Sequence, residues 1–103
     1  MVYSVEITSK AKRNIAEIGI YIATELNNPI IANDIITAIE RQIFSLDQMP
    51  NRFALVDDER LAKQGYRLVS VKNYLIFYVV DERAKRVNII SVLHNRRNWI
   101  NLL

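Results

Sequence analysis

The chain has no cysteine. Neither a disulfide framework nor a thiolate-held metal site can be built from it, which fits a reducing compartment. Glycine and proline occur twice each, while half the residues are hydrophobic, a composition that excludes a disordered chain. No apolar run approaches the roughly 18 residues of a spanning helix. The opening MVYSVEITSK lacks the basic stretch, long apolar run and small-residue cleavage site of a secretory signal. A cytoplasmic protein with no membrane contact is the expectation. With a single histidine and scattered carboxylates, no metal-ligand spacing exists, and no cofactor is expected.

What is present is enough for one domain, residues 1–103, around one core. The net charge of +3 hides an asymmetry. Residues 1–59 carry five basic and nine acidic side chains, a net −4. Residues 60–103 carry nine basic and two acidic ones, a net +7. A basic half suits a polyanion or an acidic protein partner.

Tyr3, Val5 and Ile7 alternate with polar residues, the period of a half-buried strand. Thr8 or Ser9 can cap a helix, along which Ala11, Ile15, Ile18, Ile22 and Leu26 form one apolar stripe. Gly19 weakens that helix, so close packing is expected there. Asn28 and Pro29 start a second helix with a stripe of Ala32, Ile35, Ile36, Ile39, Ile43 and Leu46, stopped by Met49-Pro50. Two amphipathic helices with a short connector predict an antiparallel hairpin.

Residues 51–65 show no period beyond a helical turn near 58–64, closed by Gly65. YRLVSV, YLIFYVV and VNIISVLH then read as strands, the first two joined by a Lys72-Asn73 turn. The nearly continuous apolar run of YLIFYVV predicts a central strand covered on both faces. The fold class is α+β. Its order is β-α-α-β-β-β, a helix hairpin on a twisted, mainly antiparallel four-stranded sheet. The tail NRRNWINLL is polar, then apolar, and is expected to form a short helix or to pack back onto the sheet.

YIATELNNP, the Leu46 to Met49-Pro50 exit, GYRLVSVKNYLIFYVVDE and VNIISVLHNRRNW stand in one order over nearly the whole chain. Together they resemble the RelE/ParE superfamily of toxins from bacterial toxin–antitoxin modules. The resemblance implies helices against a twisted antiparallel sheet and an acidic, partly disordered antitoxin that wraps the toxin. RelE-like members cut messenger RNA in the ribosomal A site without a metal; ParE-like members poison DNA gyrase.

Metal-free RNA cleavage requires a 2′-hydroxyl to lose its proton, a phosphorane to have its charge neutralised and a leaving oxygen to gain a proton. Arginine meets phosphate oxygens with a planar, permanently charged fork. Histidine carries protons near neutral pH. The catalytic candidates are therefore Arg97 and Arg67, to neutralise the phosphorane, and His94, to move the proton. Antiparallel pairing would bring Arg67 and Lys72 to the same region of the sheet. Lys72, Arg96, Lys63, Tyr74 and Trp99 are the candidates for binding RNA or antitoxin, the aromatics by stacking.

In family terms Arg97 matches the arginine after the last strand, and His94 a histidine common there. Arg67 and Lys72 match basic positions before the central strand. Two positions depart from the RNA-cleaving pattern: Leu75 stands where such members carry arginine, and the tail has Trp99 where they carry tyrosine. Ribosome-dependent cleavage of mRNA is the reading taken forward. A gyrase poison without chemistry and a non-toxic RNA-binding or interaction module are its alternatives.

Overall fold

The protein is described from a computed structural model covering residues 2–103. The alternating N-terminal segment forms strand β1, Ser4–Ile7. Thr8 ends it and begins helix α1, Ser9–Thr24. The Thr8 hydroxyl oxygen accepts the Ala11 N–H at 3.1 Å, satisfying one orphan donor of the first turn. The same hydroxyl donates to the Ile90 carbonyl, 3.2 Å away.

Asn28 caps helix α2, Pro29–Phe44, by accepting the Ile31 N–H at 3.1 Å, and Pro29 stands where a missing N–H costs nothing. The helix stops at Phe44, before Met49-Pro50, but a 3₁₀ turn, Ser45–Asp47, carries the stripe on to buried Leu46. Fully buried Ile39, Ile43 and Leu46 each stabilise the fold by about 1.5–3 kcal/mol. Gly19 lets the two helices approach closely: a Cβ there would lie 3.4 Å from Ile36 Cγ1. Leu26 departs from its expected place. It is 57% exposed, because α1 ends at Thr24 and the chain turns away through Asn27, at φ 51°.

A short helix α3, Glu59–Lys63, is capped by Asp58 and followed by Gly65 at φ 89°. Strands β2 (Arg67–Val71), β3 (Tyr74–Asp81) and β4 (Arg86–His94) complete a four-stranded sheet of order β1-β4-β3-β2. β2, β3 and β4 are antiparallel; β1 joins β4 in parallel. Lys72 and Asn73, both at positive φ, make the two-residue β2–β3 turn.

The central strands are covered on both faces. The helix pair packs on Ile76, Tyr78, Val87, Ile89 and Val92. On the reverse, Phe77 and Leu93 meet Val56 and Leu61, and the tail folds back to add Trp99, Leu102 and Leu103. The tail contains a 3₁₀ turn, Trp99–Asn101.

A β-bulge decides which side chains reach which face. Phe77 pairs with Ser91 and Tyr78 with Ile89, leaving Ile90 without a partner on β3. Before the bulge, Val87 and Ile89 face the helices; after it, Val92 and His94 do, with Leu93 on the reverse. Without that extra residue, His94 would point to the opposite face. Thr8→Val keeps the shape of the side chain but loses both the α1 cap and the bond to the bulge. Urea denaturation is expected to show a loss of about 1–2 kcal/mol, the upper part of the usual cap range.

The far end of the sheet is closed by polar contacts. Glu82 accepts from the Tyr3 hydroxyl at 2.8 Å and from Asn51 Nδ2 at 2.9 Å, with Lys85 at 3.4 Å. Asn51 first, then Tyr3, holds the Glu82 carboxyl below the ordinary glutamate value; the bond to Glu82 likewise raises the Tyr3 hydroxyl. A carboxyl with a lower pKa in the folded state contributes stability above its unfolded value and loses it as pH falls through the folded one. Urea midpoints followed from neutral pH into acid should therefore fall less steeply in Glu82→Gln than in the parent chain.

Candidate functional site

An open groove of about 650 Å³ lies between α1 and the C-terminal end of β4. Asn14, Glu17, Ile18 and Tyr21 of α1 form one wall. Their spacing of three, four and seven places them along one side of a helix. Tyr74, Val92 and His94 of the sheet, with Arg96 and Arg97 of the tail, form the other. Leu26, displaced from the core stripe, also lines the groove.

Register assembles the sheet wall. Tyr74 opens β3 directly across from His94, which ends β4. Their rings meet edge to face, with centroids 5.2 Å apart at 84°. The Asn95 N–H donates to the Asn73 carbonyl at 2.9 Å, tying the tail to the β2–β3 turn. The Arg97 N–H donates to the His94 carbonyl at 3.0 Å, and the Arg96 N–H to His94 Nδ1 at 3.1 Å. With Nδ1 engaged as acceptor, the hydrogen of the neutral ring is assigned to Nε2. Burial first, and Tyr21 second, raise the Tyr74 hydroxyl above its ordinary value, so it stays protonated at neutral pH. The exposed guanidiniums of Arg96 and Arg97 are free of ion pairs among the described residues, as is Glu17.

The predicted residues thus divide. His94, Tyr74, Arg96 and Arg97 converge on the groove, and Lys72 lies beside it in the turn that holds Asn95. Arg67 does not converge. It pairs with Tyr78, four residues along β3 from Tyr74, on the strand flanking β3 on the side away from β4. That is roughly 13 Å along the sheet and ~9.5 Å across it. Its guanidinium donates to the Phe53 carbonyl at 2.7 Å and to that of Asn51 at 3.4 Å. The expected meeting of Arg67 with the tail fails because antiparallel pairing places the start of β2 beside Tyr78, in the middle of β3 and away from the Tyr74 end.

Trp99 is no open stacking platform: its ring lies against Phe77, centroids 5.1 Å apart, on the reverse face. The apolar tail after it draws the indole into the second core. Lys63 is also on that face, on α3, paired with Glu59 at 3.4 Å. Asn14, Glu17 and Tyr21 were not anticipated. They flank the core stripe of α1, and polar residues there read as solvated until β4 is seen to run beneath them.

The arrangement has counterparts among known proteins. Helices packed on a four-stranded mixed sheet are the architecture of RelE/ParE-like toxins. The family model "ParE toxin of type II toxin-antitoxin system, parDE" matches residues 5–99. The chain belongs to this family and is a toxin of a type II toxin–antitoxin system.

Solved structures share its fold. The chromosomal ParDE system from P. aeruginosa is 21% identical, with a TM-score of 0.73 over 90% of this chain and 96% of that one. The RelBE2 toxin–antitoxin complex from Mycobacterium tuberculosis is also 21% identical, with a TM-score of 0.69 over 91% and 92%. A mutant of the E. coli toxin RelE in the free state is 12% identical, with a TM-score of 0.70 over 99% and 93%. No curated protein sequence matches. Among the described residues no helix is long and apolar enough to cross a membrane.

The two arginines most alike in the sequence reading should part experimentally. Arg67→Ala is expected to cost about 1–2 kcal/mol in urea denaturation, leaving two carbonyls without their charged donor, and to keep growth inhibition on induction. Arg97→Ala is expected to keep the parent stability and lose growth inhibition.

Proposed function

We propose that this toxin arrests growth by binding a protein target, DNA gyrase, without bond chemistry of its own. The failure of Arg67 to join Arg96 and Arg97 carries this reading. RNA cleavage needs fixed positive charge around one phosphorane. Here Arg67 is spent on backbone carbonyls at the far end, and position 75 is leucine. Trp99 offers no acid or base, and it is packed against Phe77. The two remaining guanidiniums share their groove with the Glu17 carboxylate and the apolar side chains of Ile18 and Val92. That mixture suits a protein surface better than a phosphate chain. Membership of the ParE family supports the same choice, since the resemblance connects ParE-like members with gyrase.

An antitoxin is the second partner in this proposal. The structures from P. aeruginosa and M. tuberculosis are of toxin–antitoxin systems, and the net +7 of residues 60–103 suits an acidic chain.

Ribosome-dependent mRNA cleavage stands as the second reading, because His94 and Arg97 do share one groove with Tyr74. Purified toxin assayed in parallel on gyrase and on ribosomes with mRNA separates the two. Blocked supercoiling with intact mRNA is expected. Cut mRNA with supercoiling untouched would overturn the gyrase assignment.

A further inference from the structure

β4 outlasts the strand beside it. Ile7, the last residue of β1, pairs with Ile89, so residues 90–94 of β4 have no strand on that flank. α1 lies there instead and satisfies the exposed backbone with side chains. Thr8 donates to the Ile90 carbonyl, and Asn14 Oδ1 accepts the Val92 N–H at 3.0 Å. The second bond fixes the flip of the Asn14 amide. Its oxygen is held by β4, and its Nδ2 group, unbonded among the described residues, is left to the groove that Asn14 lines. On the facing wall, His94 has its Nδ1 held by the Arg96 N–H and so presents Nε2–H. Two donors, each oriented by a protein bond, thus line a groove that also holds the apolar side chains of Ile18 and Val92.

We infer that the groove receives an extended segment of the toxin's protein target, and that Asn14 reads its main chain by donating from Nδ2 to a backbone carbonyl. This rests on the reading that the toxin acts by binding a protein. An extended segment fits the arrangement. It turns alternate side chains toward the apolar lining while presenting carbonyls at its edges. RNA fits it less well, because the Glu17 carboxylate stands on the same wall as Asn14 and repels phosphate. Simple strand addition to β4 is blocked at Val92, whose N–H is already taken.

Asn14→Asp removes the donor and adds a carboxylate charge. It keeps an oxygen for the Val92 N–H and replaces the amide group by a second acceptor. Growth arrest on induction and hydrogen exchange at the Val92 amide are measured together, at matched levels of soluble full-length protein. The expected result is that Asn14→Asp needs about tenfold or more of the parent protein level for arrest, with Val92 still protected. Unchanged toxicity would overturn the assignment. Loss of toxicity together with loss of Val92 protection would also overturn it, since Asn14 would then act only through the fold. If the parent chain cuts ribosomal mRNA and Asn14→Asp does not, the occupant is RNA, and the protein segment is wrong. Growth arrest does not presuppose gyrase, so a failure of the gyrase assignment reads out separately, in the supercoiling assay.

Discussion

The site depends on how an over-long strand is completed. β4 has nine residues and β1 has four, and buried backbone groups must be satisfied whether or not a strand is there. α1 does this with two polar side chains, Thr8 and Asn14. The first bond falls on the bulged residue, Ile90, and the second just beyond it, on Val92. Together they secure the one irregularity that turns His94 toward the helices. The Thr8 hydroxyl also caps α1, so the start of the helix and the face of the strand are set by one side chain. In this chain the groove lies where α1 takes the place of a strand beside the end of β4.

Much of this was legible in the sequence for a plain reason. The two isoleucine stripes, the Asn28-Pro29 cap and the apolar YLIFYVV run are local patterns with one good solution each, and the element order follows from them. His94, Arg96 and Arg97 stood out too, because they follow one another at the end of the last strand, but their meeting with Tyr74 depends on the β3–β4 register. The bulge was not legible. VNIISVLH reads as an unbroken strand, and nothing in its composition marks Ile90 as the extra residue. Arg67 was misplaced for a related reason. Residue type announced a cation, but its position along β2 relative to the hairpin turn decides which end of the sheet it occupies. Asn14 and Glu17 were missed because polar residues beside an apolar stripe are ordinarily solvated.

The structure also redistributes the basic half of the chain. Lys63 pairs with Glu59, Lys85 with Glu82 and Arg86 with Asp81, while Arg67 is held by carbonyls. Exposed pairs of this kind stabilise little, yet they cancel field. The far end of the sheet is further tied by Tyr3, Asn51 and Glu82, and by Arg52, which donates to the carbonyls of Ser45, Gln48 and Met49. Lys72, Arg96 and Arg97 remain uncancelled together at the other end. Arg60 and Arg83 are also without ion pairs among the described residues, but Lys72, Arg96 and Arg97 gather at the groove and form a local positive pole there.

That pole and the groove have different work to do under the proposed reading. Exposed guanidiniums act at a distance and speed the approach of an acidic partner, an effect that salt weakens. Asn14 and His94 are oriented by bonds to the protein itself, so they act only at contact, where direction matters. A catalytic site for RNA would ask the charged groups to be the oriented ones, held around a single phosphorus. Here the order is reversed: the neutral donors are fixed and the charges are loose. A surface built that way attracts broadly and recognises narrowly, which is what a toxin needs if it must meet both an antitoxin and a cellular target.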